Sequence, residues 1–545
     1  MAAASMDSLD INQHSAHGSF RVVFHGLRVW DTGEIIDVAL PSTSFDGILD
    51  DTGLFSHRGE ACVHQIESSD ESCADAVIHV DARGLVLAPG LCDPHVHFRD
   101  PGQRDKEDML SGCRSAAAGG FTTVLLMPNT APAMDGRRFD TSDALDGFSP
   151  TDAHGRREVE QAGFHSVIDY VQHYAQAHRA TLPTKYLLSV CASVDRAGID
   201  ASDPEDWKRY LRASVQQLPS DSVMREHPLV AISDDGSAVT SKILADVGEH
   251  ARRYSLPILD HCEHHDSGVM NEGQTSRSMG LPGIPASTEL NVVSRDIEFA
   301  RTTGTHMHLQ HVSTALAFDA IRKAKAEGIP VSCETAPHYL ALCDEDVKRF
   351  AAMAKMNPPL RSAADREATI AAVEDGTVDM IATDHAPHTM SEKNQGMLDS
   401  PNGIIGLETA YAVCHRVLVD GGVIDDTRLI ELMSLAPARL MGIDVVDISA
   451  LLDNCDGEHR AQDAHVEHLH RRLLDLSNRE NTQSLDFSIL DTDCTWTVES
   501  GDFHSKAHNT PFQGMSVSGR AQATILNAAI AFNRIPATRE MNPCE

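Results

Sequence analysis

The sequence alternates apolar, strand-like segments with helical segments from about residue 91 onward, over roughly 350 residues. This alternation predicts a parallel sheet, because parallel strands need a crossover connection and a helix usually provides it. Polar side chains follow one strand-like segment after another, each time at the carboxyl end. Because (β/α)8 barrels keep their active sites at that end, the repetition favours a closed barrel over an open sheet. The predicted fold class is therefore α/β, with a (β/α)8, TIM-like barrel over residues 91–445.

A second, smaller domain is predicted from the two chain ends. Residues 20–90 and 446–545 contain strand-like segments, and we expect these to pair into one small β-sandwich domain. Three stretches are rich in Ser, Asp, Gly or charged residues and are interpreted as insertions, at 43–77, 135–165 and 448–483. Residues 1–19 are small and polar and are predicted to form a disordered tail.

Charge and targeting signals narrow the classes of partner. The chain has 80 acidic and 45 basic residues and a formal net charge of −35. This balance argues against nucleic-acid and anionic-membrane partners, since both require a basic surface. The chain begins without the basic and apolar regions of a signal peptide, and it has no apolar run long enough to span a membrane. Its 12 cysteines include no Cys-x-x-Cys pair, which fits reduced thiols and a cytoplasmic protein.

Two histidines, His95 and His97, end the first barrel strand. Side chains at i and i+2 of a strand share a face, so both imidazoles point the same way. The preceding run, Gly-Leu-Val-Leu-Ala-Pro-Gly-Leu, is apolar on both faces, as in a strand that is buried on both sides. Imidazole is the commonest side-chain ligand for metals such as zinc. A bare His-x-His pair is weak support, but with Asp93, Arg99 and Asp100 close by it favours a metal site over a structural role.

The later strand ends supply further candidates for metal ligands. They offer His261, His311, an aspartate pair at Asp234 and Asp235, and Asp384. With the first two histidines, these residues have the types and number of ligands for two metal ions that share a bridging carboxylate. A two-metal site lowers the pKa of a shared water and polarises a carbonyl, which suits hydrolysis. One carboxylate must also move protons, and Asp384 is the predicted catalytic residue.

Nine motifs together give the chain a family resemblance. They are His95-Val-His-Phe-Arg-Asp-Pro-Gly, Gly119-Gly-Phe-Thr-Thr, Met127-Pro-Asn-Thr, Ser233-Asp-Asp-Gly, His261-Cys-Glu, His311-Val-Ser-Thr, Lys355-Met-Asn-Pro-Pro-Leu-Arg, Ala382-Thr-Asp-His-Ala-Pro-His and Asn509-Thr-Pro-Phe. In combination they resemble the dihydroorotases of the long bacterial type, within the metal-dependent amidohydrolase superfamily. The resemblance covers about 20–42, 78–134, 184–446 and 484–530, and leaves out the three insertions.

The resemblance implies roles for the metal ligands. His95, His97 and Asp384 would hold the more buried of one or two Zn²⁺ ions, and His261 and His311 would hold the second. Many relatives bridge the metals with a carboxylated lysine, but the strand at 229–233 has no lysine. The chain resembles the subgroup that uses an aspartate instead. Asp235 is the predicted bridge, with Asp234 as the second choice.

The resemblance also implies a substrate and the residues that bind it. The reaction would be the reversible cyclisation of N-carbamoyl-L-aspartate to (S)-dihydroorotate, the third step of pyrimidine biosynthesis. Arg99 suits the substrate carboxylate, because a guanidinium pairs bidentately with a carboxylate. The other predicted contacts are Asn129 and His388 at the carboxylate, Asn357 at the ring, and Asn402 and Gly403 on a loop over the site. Asn402 stands where the family more often has an aromatic residue.

Two alternatives and two partner predictions accompany this hypothesis. A hydantoinase or allantoinase would share the fold and the metals, but these enzymes typically use the bridging lysine and lack a residue like Arg99. A non-catalytic homologue would act as a scaffold for aspartate transcarbamoylase, but such homologues usually lose metal ligands, which this chain retains. The resemblance also allows a homodimer and an association of the active enzyme with aspartate transcarbamoylase.

Overall fold

A computed structural model describes residues 19–44, 76–139, 149–263, 268–453, 471–477 and 484–535. Eight parallel strands follow one another in chain order around a barrel. They are β1 (Leu91–Val96), β2 (Phe121–Leu126), β3 (Lys185–Cys191), β4 (Leu229–Ser233), β5 (Ile258–His261), β6 (Met307–Gln310), β7 (Val331–Thr335) and β8 (Met380–Ile381). The chain just after β8 returns to β1, where the His97 N–H donates to the His385 carbonyl at 3.0 Å. This contact closes the barrel, so the predicted fold class is confirmed.

Helices connect the barrel strands and cover the barrel. The first begins at Met109, because Asp108 caps it by accepting the Ser111 N–H at 2.9 Å. The helices are Met109–Ala118, Pro150–Gln161, Val167–Gln172, Tyr174–His178, Pro204–Trp207, Arg212–Val215, Leu244–Tyr254, Gln274–Met279, Ala286–Thr303, Ala315–Ala326, Pro337–Ala341, Val347–Phe350, Ala363–Glu374, Met390–Lys393, Gly396–Asp399, Ala410–Cys414, Asp426–Ile430, Ala436–Met441 and Ile448–Asp453. None of the helices in these described ranges has the length and apolar content needed to cross a bilayer.

Apolar residues fill both faces of the barrel wall. The interior cluster contains Leu125, Leu187 and Leu259 from three strands, and Met441 of the last barrel helix packs against them. Neighbouring strand residues such as Val124 and Ile258 face the surrounding helices instead. This alternation is the pleat of a strand that is buried on both sides. The packed interior leaves the carboxyl ends of the strands as the place for polar chemistry.

Strands from both chain ends form a second sheet. Seven of its strands lie side by side in the order Arg472–Asp475, Ile35–Ala39, Ser19–Val29, Val86–Pro89, Phe487–Thr497, Ser516–Leu526 and Ala529–Asn533. Two further strands, Thr43–Ser44 and Ala76–Asp81, also pair with Ser19–Val29. The central pairing joins residues about 400 apart in the chain, since Phe487 lies opposite Pro89. A separate apolar cluster that includes Phe24, Ile36 and Ile489 stabilises the sheet. The second β unit built from both chain ends is therefore present.

The predicted insertions fall largely outside the described ranges. Residues 45–75 and 454–470, which make up most of two predicted insertions, lie outside the described ranges. Within the predicted 135–165 insertion, residues 150–161 form a helix that Ser149 caps. The C-terminal segment also reaches the barrel, where the Asn509 side chain accepts a hydrogen bond from the His388 N–H at 3.0 Å. One end of the chain thus contributes directly to the region of the predicted site.

Candidate metal centre and substrate pocket

A cavity of about 250 Å³ lies at the carboxyl ends of the barrel strands. The residues that the sequence predicts for the site line this cavity, except the second-choice bridge Asp234 and His95, which is fully buried beside the cavity. The lining residues from that prediction are His97, Arg99, Asn129, Asp235, His261, His311, Asn357, Asp384, His388, Asn402 and Gly403. The strand-end positions therefore converge in space, as parallel strands of a barrel require.

His95 lies between three buried carboxylates. Its Nδ1 is 2.7 Å from Glu334 Oε1, and because a carboxylate can only accept, Nδ1–H donates. Its Nε2 lies 3.1 Å from Asp235 Oδ1 and 3.5 Å from Asp384 Oδ1. Burial alone would lower the pKa of His95, but the carboxylates of Asp235, Asp384 and Glu334 outweigh it and raise that pKa. The site therefore attracts positive charge at this position.

A metal cation would suit this position between His95 and Asp235. Although His95 Nε2 and Asp235 Oδ1 are only 3.1 Å apart, neither atom makes a hydrogen bond with any other described residue or with each other. Such orphaned buried polar atoms are costly unless a partner satisfies them. The nitrogen of an imidazole and the oxygen of a carboxylate are both ligands for zinc-like ions. A cation between the two atoms would satisfy both of them at once.

Two overlapping groups of ligand atoms surround this point. Within each group, the ligand atoms all lie within 4.8 Å of one another. The first group consists of His95, His97 and Asp384, and the second of His95, Asp235 and His311. His97 Nε2 is 3.1 Å from Asp384 Oδ1 and 3.3 Å from Asp235 Oδ2. The two oxygens of Asp235 thus face different histidines, as a carboxylate between two metal positions would. This geometry suits the predicted two-metal arrangement.

The second histidine pair adjoins Asp235. His311 Nε2 is 3.9 Å from Asp235 Oδ1, and its ring centroid lies 4.4 Å from that of His261. Burial and the neighbouring His261 and His95 hold the pKa of His311 well below its usual value. His311 is therefore neutral, which is the form that binds metals.

The structure separates the two adjacent aspartates. Asp234 accepts hydrogen bonds from the Ser193 N–H at 3.0 Å and the Ser193 hydroxyl at 2.5 Å, so its carboxylate serves to fix the loop after β3. Asp235 lines the cavity and faces the histidines. Of the two candidates, only Asp235 is placed where a bridging ligand would be needed.

Three site residues adopt left-handed backbone conformations. The φ angles are 59° at Arg99, 38° at His311 and 47° at Asp384. For residues other than glycine such conformations cost about 1–3 kcal/mol each, and they cluster at functional sites. Packing elsewhere must therefore hold these three side chains in place, and all three line the cavity.

The rest of the cavity presents positive charge. Arg99 makes no ion pair with any residue of the described ranges, and its Nε has no hydrogen-bond partner there. Burial lowers the pKa of Arg99 to about 10, so the guanidinium is still charged near neutral pH. Burial together with Arg99, Lys106 and Lys393 lowers the pKa of His388 to about 2, which keeps that imidazole neutral. Beside the metal-type ligands, the cavity thus contains a cation without an ion-pair partner in the described ranges and a neutral hydrogen-bonding group.

Glu334, in β7, is a site residue that the sequence analysis missed. It accepts from His95 Nδ1–H at 2.7 Å and is 3.0 Å from His308 Nε2. Burial would raise the pKa of Glu334, but His95 and His308 outweigh it and lower that pKa to about 2. An ionised carboxylate behind a metal-ligating imidazole fixes the tautomer and increases ligand basicity. The one available signal was a charged residue within the otherwise uncharged segment Val331–Thr335.

Replacing Glu334 by Gln is expected to weaken metal binding by about 10–100-fold, the usual effect of losing such a partner. The amide keeps the size of the side chain but removes the charge that orients His95. Competition with a chromogenic chelator would measure the dissociation constant of the metal. Inductively coupled plasma mass spectrometry would measure the amount of metal bound to the purified protein. Glu327→Gln, which neutralises an exposed glutamate, is the control. An unchanged dissociation constant in Glu334→Gln would contradict this role.

Comparisons with known proteins give one family match and relatives covered over most of their length. Residues 86–447 match the model of the amidohydrolase family. The dihydroorotase of Geobacter metallireducens is 34% identical over 509 residues, which cover 92% of this chain and 98% of the relative. That of Lactiplantibacillus plantarum is 37% identical over 468 residues, or 85% of this chain and 90% of the relative.

Solved structures share the fold at lower identity. The L-hydantoinase (dihydropyrimidinase) of Arthrobacter aurescens superposes with a TM-score of 0.63 at 19% identity, covering 96% of this chain and 98% of that one. The dihydropyrimidinase of Brevibacillus agri superposes with a TM-score of 0.62 at 17% identity, covering 95% of this chain and 96% of that one. At these identities the likeness concerns the fold alone. On the family match and the full-length relatives, the chain belongs to the amidohydrolase family and, within it, to the dihydroorotases.

Proposed function

We propose that this enzyme is a metal-dependent dihydroorotase that interconverts N-carbamoyl-L-aspartate and (S)-dihydroorotate. The observation that carries this proposal is the Arg99 guanidinium, which lies in the cavity without an ion-pair partner among the described residues. A buried cation of this kind calls for an anionic ligand. The ring of dihydroorotate bears one carboxylate, and its cyclic amide would then lie toward the metal-type ligands.

Each group of residues has a role in the proposed mechanism. His95, His97, Asp235, His261, His311 and Asp384 would hold one or two zinc ions, which supply a water of lowered pKa and polarise the amide carbonyl. Asp384 takes a proton from the attacking water and delivers it to the departing ring nitrogen. Arg99, Asn129 and His388 bind the carboxylate, while Asn357 contacts the ring and Asn402 and Gly403 cover it. In the direction of ring closure, Asp384 takes a proton from the attacking carbamoyl nitrogen and delivers it to the oxygen that leaves as water.

Two features disfavour a hydantoinase despite the shared fold. Strand β4, Leu229–Ser233, offers no lysine for carboxylation, and Asp235, whose two carboxylate oxygens face different histidines, would serve as the bridging ligand instead. Hydantoin also carries no carboxylate for Arg99. A non-catalytic scaffold would have no use for six converging metal-type ligands around a cavity. A homodimer and an association with aspartate transcarbamoylase stay predictions from the family resemblance.

Metal analysis combined with two assays tests the proposal. Purified protein should contain zinc and should both open dihydroorotate and close N-carbamoyl-L-aspartate, because one site serves both directions. Hydantoin should not be turned over at a comparable rate. Turnover of hydantoin without dihydroorotate would identify a hydantoinase, and zinc-loaded protein inactive on both would identify a non-catalytic homologue. Removal of the metal by a chelator should abolish turnover, and added zinc should restore it.

A further inference from the structure

Two buried lysines hold the segment that carries Asn402 and Gly403. Lys393 is 1% exposed, and its Nζ donates to the Pro401 carbonyl at 3.0 Å and the Gly403 carbonyl at 2.9 Å. Lys355 is 6% exposed, and its Nζ donates to the Ser400 carbonyl at 2.6 Å. Both ammonium groups therefore bind the backbone of residues 400–403, which we call the pocket segment.

Neither lysine has a carboxylate partner within the described part of the chain. The nearest acidic neighbour in sequence, Glu392, forms its ion pair with Lys106 at 2.9 Å instead. Burying an ammonium without a counter-ion is costly, because carbonyl dipoles replace only part of its hydration. The ammonium group of Lys393 therefore has no carboxylate in direct contact among the described residues. A negative charge in the adjoining cavity would compensate it.

The pocket segment is fixed from several sides at Gly403. The Gly403 N–H donates to the Lys355 carbonyl at 3.0 Å, and the Gly403 carbonyl also accepts from Asn509 Nδ2 at 3.0 Å. The φ angle of Gly403 is 147°, and a Cβ there would lie 2.8 Å from His388 Cδ2. Gly403 is thus pressed against His388, at the side of the cavity assigned above to the substrate carboxylate.

We propose that Lys393 is a positioning residue that holds the pocket segment against His388 and supplies positive charge behind the site of the substrate carboxylate. This inference rests on the proposed function, since it assumes that an anionic substrate occupies the cavity. Lys393 does not touch the reacting atoms. It acts through the Gly403 peptide and through its electrostatic potential.

The charge of Lys393 is poised to change near neutral pH. Burial and the neighbouring Lys355 lower the pKa of Lys393 to about 7, against the opposing effect of Glu392. The other charged or titratable groups around this part of the cavity are Arg99, Lys106 and His388. Below pH 7 the ammonium form predominates and attracts the substrate anion. As pH rises through 7 that charge is lost, so the KM for either substrate should rise.

Substitution of Lys393 by Met tests the inference with the full-length zinc enzyme. Met keeps the length of the side chain but removes the charge and the donors. The KM for dihydroorotate and for N-carbamoyl-L-aspartate should rise about tenfold or more, since bonds from a charged donor are lost, while kcat stays within about threefold. The rise of KM between pH 6 and 9 should disappear. Lys323→Met, which removes an exposed ammonium, should leave KM unchanged.

Three results would overturn the inference. A wild-type KM that stays flat from pH 6 to 9 would do so without any variant, so the test survives if Lys393→Met misfolds. A folded Lys393→Met enzyme with the wild-type KM would overturn the inference directly. A Lys393→Met enzyme that loses kcat but keeps the wild-type KM would also overturn it. Wild-type enzyme without dihydroorotase turnover would instead reject the proposed function, and this inference with it.

Discussion

Replacing Asp384 by Asn is expected to reduce kcat by about 10²–10⁴-fold, the usual contribution of a group that transfers a proton in the transition state. Asn has nearly the same shape and tolerates the left-handed backbone found here, where φ is 47°. The amide has no basic oxygen that could take a proton from water. Because Asp384 Oδ1 lies only 3.1 Å from His97 Nε2 and 3.5 Å from His95 Nε2, the proton would move within the ligand cluster.

Metal content separates this effect from a loss of metal. The variant should retain most of its bound metal, since His95, His97 and Asp235 are unchanged, and mass spectrometry would measure the metal bound per chain. Circular dichroism would verify the fold. Asp365→Asn, a change in the cap of a surface helix, serves as the comparison. Near-normal turnover in Asp384→Asn would show that another group moves the proton.

Replacing Arg99 by Met is expected to lower kcat/KM for dihydroorotate. The activation free energy should rise by about 2–5 kcal/mol, the cost of removing one member of a desolvated charge pair. Arg99 lines the cavity with no ion-pair partner among the described residues, so the substrate carboxylate would be its counter-ion. Arg99→Lys keeps the charge but loses the planar, two-pronged geometry, so its loss should be intermediate.

A substrate without the carboxylate provides the matched control for Arg99. Dihydrouracil has the same ring as dihydroorotate but no carboxylate, and wild-type enzyme should turn it over poorly. The loss in Arg99→Met should fall on dihydroorotate alone, so the ratio of the two kcat/KM values should shrink toward one. Equal losses on both substrates would instead mean that Arg99 supports the metal centre, and wild-type kcat/KM on dihydroorotate would exclude it from substrate binding.

The barrel and the position of the site were predictable because both leave local signals. A buried parallel strand is a short apolar run, and a polar residue directly after such a run lies at the carboxyl end of the sheet. His95 lies at the end of strand Leu91–Val96, His311 directly follows Met307–Gln310, and Asp384 comes shortly after Met380–Ile381. The choice between Asp234 and Asp235 was not accessible in the same way. The two residues are adjacent, and only the contact of Asp234 with Ser193, 41 residues earlier, separates their roles.

Glu334 and Lys393 could not be identified from local patterns. Glu334 meets His95 across 239 residues of sequence, and nothing in its own strand points to that partner. Lys393 lies in a polar stretch that suggests an exposed helix, yet it is almost completely buried. A long-range contact decides the role of each residue, and a single sequence has no signal for such contacts.

The contact between Asn509 and His388 has a consequence for the order in which the site is completed during synthesis. Every metal-type ligand, from His95 to Asp384, precedes residue 385 in the chain, whereas Asn509, which binds the His388 N–H and the Gly403 carbonyl, emerges from the ribosome more than 100 residues later. Phe487, which pairs beside the start of the barrel, is also late. A nascent chain therefore possesses all its metal-type ligands well before it can shape its substrate pocket.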